Sequence, residues 1–291
     1  MAAREICLLT NPTAGRGRGA AHRLAVLPRL EQAGFAVRDV VAQDAGHARA
    51  AAADAVGDGV EAVVVVGGDG LVHAVLPALA QSRAALGIVP AGSGNDVARY
   101  LDLPRRDPVA AADRIVASRR RRIDLAHSSA GWFVTVLAAG FDAIVNERAN
   151  AMRWPRGQMR YNLATLAELR TFAPIDYTLV LDGRETRVDA VLVAVGNGPS
   201  FGGGLRITEG ASLADGLLDV VVIRPMGRAR MVRTYPRLFR GTHTTHPQYE
   251  HHRVARVTVA APGIVSYADG ERYGALPLTI EAVPGALEVI A

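Results

Sequence analysis

The sequence predicts an α/β protein: an N-terminal doubly wound α/β domain over residues 1–124, then a mostly antiparallel β domain over residues 125–291. Three observations predict it. Short apolar runs alternate with Ala-rich helical stretches through the first ~125 residues. One of those runs, Ala62–Val66, is continuous and β-branched, as a strand buried on both faces of a parallel sheet requires. After Arg119-Arg-Arg-Arg122 the pattern changes to strands separated by turn signals.

In order, Ile6–Thr10 reads as a strand that ends in the turn Asn11-Pro12, and Ala20 to Gly34 as a helix with Gly34 as its stop. Phe35–Val41 is a strand and Gly46–Asp58 an Ala-rich helix. Ala62–Val66 precedes a helix over Leu71–Ala80, and Leu86–Pro90 is a further strand. Beyond the arginine run, strands are expected at Trp132–Ala138, Tyr177–Leu181, Val188–Val195, Leu218–Ile223, Val254–Ala260 and Leu278–Val283. Asp182-Gly183, Gly196-Asn-Gly198 and Asp269-Gly270 supply turns between them. One helix, Met159–Phe172, interrupts the series, and the last few residues are candidates to return to the first domain.

Composition excludes several classes. The chain has 291 residues, 49% hydrophobic and 21% charged, which is globular rather than disordered. No run of about 18 apolar residues is present to span a bilayer as a helix. The first residues are too short and too charged for a secretory signal, and Cys7 stands alone, which fits a reducing cytoplasm. All 33 basic residues are arginine, so a Walker-A lysine, a Schiff-base lysine and a Ser-Lys dyad are excluded. A net charge of +5 suits an anionic partner, and codon bias with solvated arginines accounts for it equally well.

Three loops carry the chemistry. Gly67-Gly-Asp-Gly70 follows the buried strand, where adjacent glycines allow close backbone approach and the N–H groups form an anion site. Asp69 repels a phosphate unless a cation or water lies between them; the alternative is a plain βα turn with Asp69 as a cap. Pro90-Ala-Gly-Ser-Gly-Asn-Asp96 places Ser93, Asn95 and Asp96 at a helix start after another buried strand. Asn11-Pro12-Thr-Ala-Gly15 follows the first strand, and its spacing is not that of a dinucleotide fingerprint. All three would share the carboxyl edge of one sheet, where α/β folds bind ligands. From the second domain, Glu271 after Asp269-Gly270 is placed to act as a general base if it faces those loops.

These segments, with Gly157-x-x-x-Tyr161, Gly196-Asn-Gly198, Gly202-Gly-Gly204, Ala214-Asp-Gly-Leu-Leu-Asp219 and Gly241-Thr-His243…His246-Pro247, occur in an order that resembles the catalytic family of diacylglycerol kinases, relatives of sphingosine and ceramide kinases. The resemblance covers essentially the whole chain. It implies an NAD-kinase-like first domain beside a β-sandwich, with ATP held by Asn11, Pro12, Gly15, Gly67, Gly68, Asp69, Gly70, Ser93 and Asn95. It implies Mg²⁺ at Asp69 and Asp96, a metal site at Asp215 with the carbonyls of Ser212 and Leu217, and Glu271 as the catalytic base. The expected reaction is transfer of the γ-phosphoryl group of ATP to a lipid hydroxyl, most plausibly diacylglycerol giving phosphatidic acid, by a cytoplasmic protein in peripheral contact with the inner membrane face.

Two departures from the family pattern bear on this: Leu71 and His73-Ala74 stand where Thr and Asn-Glu are usual, and Ala42 where a nucleotide-contacting threonine is common. Each hydrogen bond lost costs about 0.5–1.5 kcal/mol. The alternatives are a kinase of the same fold acting on a sphingoid or soluble hydroxyl, and a non-catalytic lipid- or nucleotide-binding homologue. NAD kinase shares Gly-Gly-Asp-Gly but not the other loops. His243, His246, His251 and His252 fit no zinc spacing. Met152–Phe172 reads either as a bilayer contact or as a lid or core helix, and Arg119–Arg122 as a solvated interdomain run or an anionic-lipid contact. No nucleic-acid-binding signature is present.

Overall fold

A computed structural model describes residues 4–140 and 173–291, with Val145, Arg148, Met152 and Trp154 between them. The expected Met159–Phe172 helix and the Gly157…Tyr161 motif lie outside the described residues. The first part runs β1 (Arg4–Thr10), α1 (Ala14–Gln32), β2 (Phe35–Val41), α2 (Ala45–Gly57), β3 (Ala62–Gly67), α3 (Asp69–Leu79), β4 (Ala85–Pro90), α4 (Asp96–Tyr100) and α5 (Pro108–Ala117). Strands β2-β1-β3-β4 are parallel neighbours. Thr10 pairs with Val66 and Gly67 with Pro90, so β1, β3 and β4 end side by side. Alternation along β1 and β3 supplies both faces. Cys7, Leu9, Val63 and Val65 pack on α2 and α3, while Ile6, Leu8, Val64 and Val66 pack on α1 and α5. Each such side chain contributes about 1.5–3 kcal/mol on burial.

Asp44 caps α2 through the His47 N–H at 2.8 Å. Asp107 caps α5 through the N–H groups of Val109 and Ala110, with Pro108 in its first turn. Helix α1 starts earlier than Ala20, but Gly15, Arg16 and Gly17 have φ of 57°, 66° and 91°, so its first residues form a left-handed loop.

The second part runs β5 (Arg120–Ser128), β6 (Gly131–Phe133), β7 (Val136–Gly140), β8 (Ile175–Leu181), β9 (Arg184–Ala190), β10 (Leu192–Gly196), β11 (Leu218–Ile223), α6 (Arg228–Leu238), β12 (Tyr249–Val254), β13 (Arg256–Ala260), β14 (Val265–Ala268), β15 (Glu271–Ala275) and β16 (Leu278–Ile290). One antiparallel sheet has the order β12-β11-β10-β7-β14-β15. It faces β16-β13-β8-β9 across a core that includes Phe133, Leu137, Tyr177, Leu179, Val193, Val220, Val257 and Val259. This is the expected β-sandwich. Strand β16 also joins the first sheet, parallel to β4 at Val289↔Leu86 and antiparallel to β5.

Three expected strands are each split, because a backbone N–H leaves the ladder for another partner. Trp132–Ala138 breaks where Val134 and Thr135 donate to the Asp269 carboxylate at 3.1 and 2.8 Å. Val188–Val195 breaks at Val191, which donates to the Ile223 carbonyl, and Val254–Ala260 at Ala255, held by Asp182. Arg119–Arg122 is exposed, as a solvated run requires, and is also largely strand: Arg120–Arg122 open β5, and Arg120 pairs with Glu61 and Glu288.

Asp124 on β5 ties distant segments together. It is buried, and its carboxylate accepts the N–H groups of Gly216 and Gly285, each at 2.7 Å. Asp124→Ala leaves both N–H groups without that partner and is expected to lower the unfolding free energy by about 2–4 kcal/mol. Urea denaturation checks this as a fall in midpoint at unchanged slope.

Candidate active site

The aligned ends of β1, β3 and β4 press three loops together. Asn11 donates its N–H to the Val66 carbonyl at 3.0 Å, and its Oδ1 accepts from Thr13. Gly15 lies so close to β4 that a Cβ there would fall 1.9 Å from the Ala91 carbonyl oxygen. The Gly67–Gly70 and Ala91–Asp96 loops meet at Gly68 and Gly92: a Cβ on Gly92 would lie 2.6 Å from the Gly68 Cα. Arg18 braces the arrangement from outside, donating to the carbonyls of Gly15 and Gly92 at 3.1 and 2.9 Å. Asn95, at φ 55°, donates from Nδ2 to the Gly92 carbonyl, and its buried Oδ1 has no partner. Ser93 is exposed at the loop tip, and Pro12 and Gly67 line the neighbouring turns.

Two carboxylates flank Gly94. The Asp69 Oδ2 and Asp96 Oδ2 atoms lie 2.9 and 3.5 Å from where a Cβ on Gly94 would sit. Asp69 Oδ1 accepts the Val97 N–H at 3.2 Å. Asp96 is more fully engaged, accepting from the Ser200 hydroxyl at 3.1 Å and the Gly203 N–H at 2.6 Å, with Arg99 beside it at 3.6 Å. Burial, then the charge of Asp96, push the Asp69 carboxyl up to about 6.

The β14–β15 hairpin delivers Glu271 to the same place. Its turn residues Asp269 and Gly270 have φ of 52° and 86°, the geometry that Asp-Gly favours in a two-residue hairpin. Glu271 is exposed, with Oε1 2.6 Å from where a Cβ on Gly70 would lie. Gly70 follows Asp69, so Glu271 stands beside the first acidic loop. The Asp269 carboxylate points inward and accepts from Val134, Thr135 and, at 3.0 Å, the Nδ1–H of His73 on α3. Burial pulls the His73 imidazole down, but its bond to Asp269, with the charges of Asp269 and Glu271, leaves it net raised.

The Ser212–Leu217 loop stands apart from this cluster. Asp215 accepts the Leu217 N–H at 3.1 Å and pairs with Arg253. Among the described residues, the loop is tied toward the site through Leu213, which donates to the Tyr100 hydroxyl on α4, and through Asp124. His243 is buried against the Ile207 carbonyl, and His251 pairs with Asp219 at 2.6 Å. Among the described residues no three His, Cys, Asp or Glu side chains converge on a metal position. Two carboxylates beside a glycine cradle nevertheless fit Mg²⁺, which takes hard oxygens, usually one or two carboxylates with substrate phosphates completing its shell.

Residues 5–128 match the model of the diacylglycerol kinase catalytic domain, and residues 135–291 match that of the YegS C-terminal NAD kinase beta sandwich-like domain. The chain belongs to the diacylglycerol kinase family. It is 44% identical to a diacylglycerol kinase of Mycobacterium tuberculosis over 98% of this chain and 94% of that protein. To a Bacillus subtilis diacylglycerol kinase it is 28% identical, over 93% and 90%. A solved diacylglycerol kinase from Bacillus anthracis shares the fold, with a TM-score of 0.77, 21% identity and coverage of 100% and 97%. An NAD kinase from Archaeoglobus fulgidus in complex with ATP also shares it, with a TM-score of 0.56 at 15% identity over 99% and 93%. The protein is a lipid kinase.

The kinase's departures from the family pattern have structural counterparts. Leu71 is buried and turns beneath Gly67, filling the loop from below. Ala42 is buried and donates its N–H to the Thr10 carbonyl. His73 carries a contact that sequence reading missed, although its i,i+4 spacing from Asp69 places both on one side of α3. Arg18 and the inward-facing Asp269 were missed as well.

The raised Asp69 pKa has a defined pH signature. In the unfolded chain this carboxyl ionises near 3.8 and in the folded protein near 6, so the folded state loses stability as pH rises through that window. Without added cation, Asp69→Asn is expected to stabilise the kinase by on the order of 2 kcal/mol above pH 6. The gain should disappear below about pH 4. Thermal denaturation of both proteins across pH 4–8 checks this.

Proposed function

We propose that the kinase transfers the γ-phosphoryl group of ATP to the hydroxyl of diacylglycerol, with Mg²⁺. Residues 1–124 would hold the nucleotide and residues 125–291 supply the base and the acceptor side. What carries the reading is the Glu271 carboxylate against Gly70, one residue from Asp69 and across the glycine loops from Asp96.

In this reading the N–H groups of Gly67, Gly68 and Gly70, with Ser93, lie along the phosphates, and Asn11, Pro12, Gly15 and Asn95 shape the nucleotide end. The unpartnered Asn95 Oδ1 supports a polar occupant there. Asp69, whose Oδ2 faces Gly94, and Asp96, already engaged by Ser200 and Gly203, would hold Mg²⁺, which would supply neutralisation of phosphate charge. Glu271 takes the proton from the acceptor hydroxyl, the oxygen bonds to the γ-phosphorus, and the bond to ADP breaks. Asp215, with the Ser212 and Leu217 carbonyls, takes a second cation away from the reaction, and the Arg253 guanidinium must then release one oxygen. The kinase would act at the cytoplasmic face of the membrane.

Glu271→Gln is expected to lower kcat by 10²–10⁴-fold, on the order of a general-base contribution. ATP affinity should stay within about twofold, since the change leaves the glycine loops intact. Label transfer from radiolabelled ATP to a mixed lipid extract, purified diacylglycerol, a sphingoid base and lipid-free buffer checks both points. Labelled phosphatidic acid is the expected product. Label on the sphingoid base alone, or only on a soluble acceptor, moves the assignment to that hydroxyl, and no transfer at all leaves a binding protein. A near-normal kcat in Glu271→Gln overturns the base assignment.

A further inference from the structure

Helix α6 has no buried residue, although its sequence is strongly two-sided. Val232, Tyr235 and Phe239, at positions i, i+3 and i+7, form one stripe and are 51%, 37% and 43% exposed. Tyr235 and Phe239 meet edge to face at 5.7 Å, so the stripe is continuous. Arg230, Arg233, Arg237 and Arg240, at i, i+3, i+7 and i+10, form a second stripe toward the opposite side, and Arg228 opens the helix. No acidic residue occurs from Arg228 to Arg240. Among the described residues Arg228, Arg230, Arg233 and Arg240 make no ion pair and are exposed, whereas Arg237 is held by Thr242 and Thr245.

Among the described residues, the C-terminal end of the helix is tied to the loop that follows β10. The Leu238 carbonyl accepts the Arg206 N–H at 3.0 Å, and Leu238 packs on Phe201, Leu205 and Ile207. The Phe201–Leu205 turn carries Gly203, whose N–H donates to Asp96. The exposed helix is therefore seated on the back of a loop that touches the active-site carboxylates.

We propose that α6 docks the kinase on an anionic bilayer. Val232, Tyr235 and Phe239 enter the interfacial region while Arg230, Arg233 and Arg240 meet lipid phosphates. A helix with an apolar stripe on one face and arginines on the other is the pattern of one that lies in the plane of an anionic bilayer surface, its apolar side toward the acyl boundary and its long cationic side chains at the headgroups. A nucleic acid would engage the arginines and leave the apolar stripe in water. No helix among the described residues is long and apolar enough to cross a membrane, so contact through this helix is peripheral. The inference rests on the lipid-kinase reading only in that the acceptor resides in such a bilayer.

The test uses the full chain and sedimentation with vesicles that contain no acceptor lipid, either phosphatidylcholine alone or with phosphatidylglycerol. Wild-type protein is expected to bind the anionic vesicles at least about tenfold more tightly, with affinity falling as salt rises. Arg230→Glu/Arg233→Glu/Arg240→Glu should lower that partition by about a hundredfold. Val232→Ser/Phe239→Ser should lower it by about tenfold. Both variants should keep the wild-type circular dichroism spectrum and phosphorylate detergent-dispersed diacylglycerol within about twofold of wild type, losing activity only on vesicles. Wild-type vesicle partition in both variants overturns the proposal. So does binding of a DNA duplex as tight as vesicle binding, with Val232→Ser/Phe239→Ser unaffected. Vesicle binding that follows this pattern without any phosphoryl transfer supports the docking surface and overturns the kinase reading alone.

Discussion

Asp69 and Asp96 repel each other, and the fold holds them on either side of one glycine all the same. Their closeness follows from the register of β3 and β4, which end together at Gly67 and Pro90: β3 turns at once into a helix that begins at Asp69, and β4 passes through one short loop into a helix that begins at Asp96. Once the strands are paired, the carboxylates have little freedom to separate. Glycine is required where the turns touch, since any side chain at Gly68 or Gly92 meets backbone. The electrostatic tension at the site is thus supported by the burial of β3, whose residues are all inaccessible to solvent.

Glu271 is positioned by a separate device. A tight hairpin turn aims Glu271 outward while the Asp269 carboxylate faces in, spending its oxygens on two backbone N–H groups, a hydroxyl and an imidazole. His73 therefore links the helix that begins at Asp69 to the turn that presents Glu271. A shift of α3 against the hairpin would have to break that bond.

Much of this was legible in the amino-acid order. The loops after β1, β3 and β4 announce themselves because only glycine tolerates such contacts and because β-branched runs mark the strands before them. Helix α6 escaped notice although Val232, Tyr235 and Phe239 recur at helical spacing, because arginines crowd the segment and Pro236 stands inside it. Helix α5 has its capping aspartate and proline, which were passed over. The breaks after β6, β9 and β12 are invisible locally, because each depends on an acceptor far away in the chain: Asp269, Ile223 or Asp182. The same holds for His73, whose meaning depends on a residue 196 positions away.

Strand β16 sets an order on the making of the molecule. It lies beside β4 in the first sheet, yet β4 ends at Pro90 and β16 begins only at Leu278. A ribosome releases β1 to β4 long before their neighbour exists, so the edge of β4 stays open until β16 emerges. The two halves thus mature together only after β16 has emerged, and a nascent chain halted before Leu278 carries an uncovered strand edge of the kind that invites pairing with another chain.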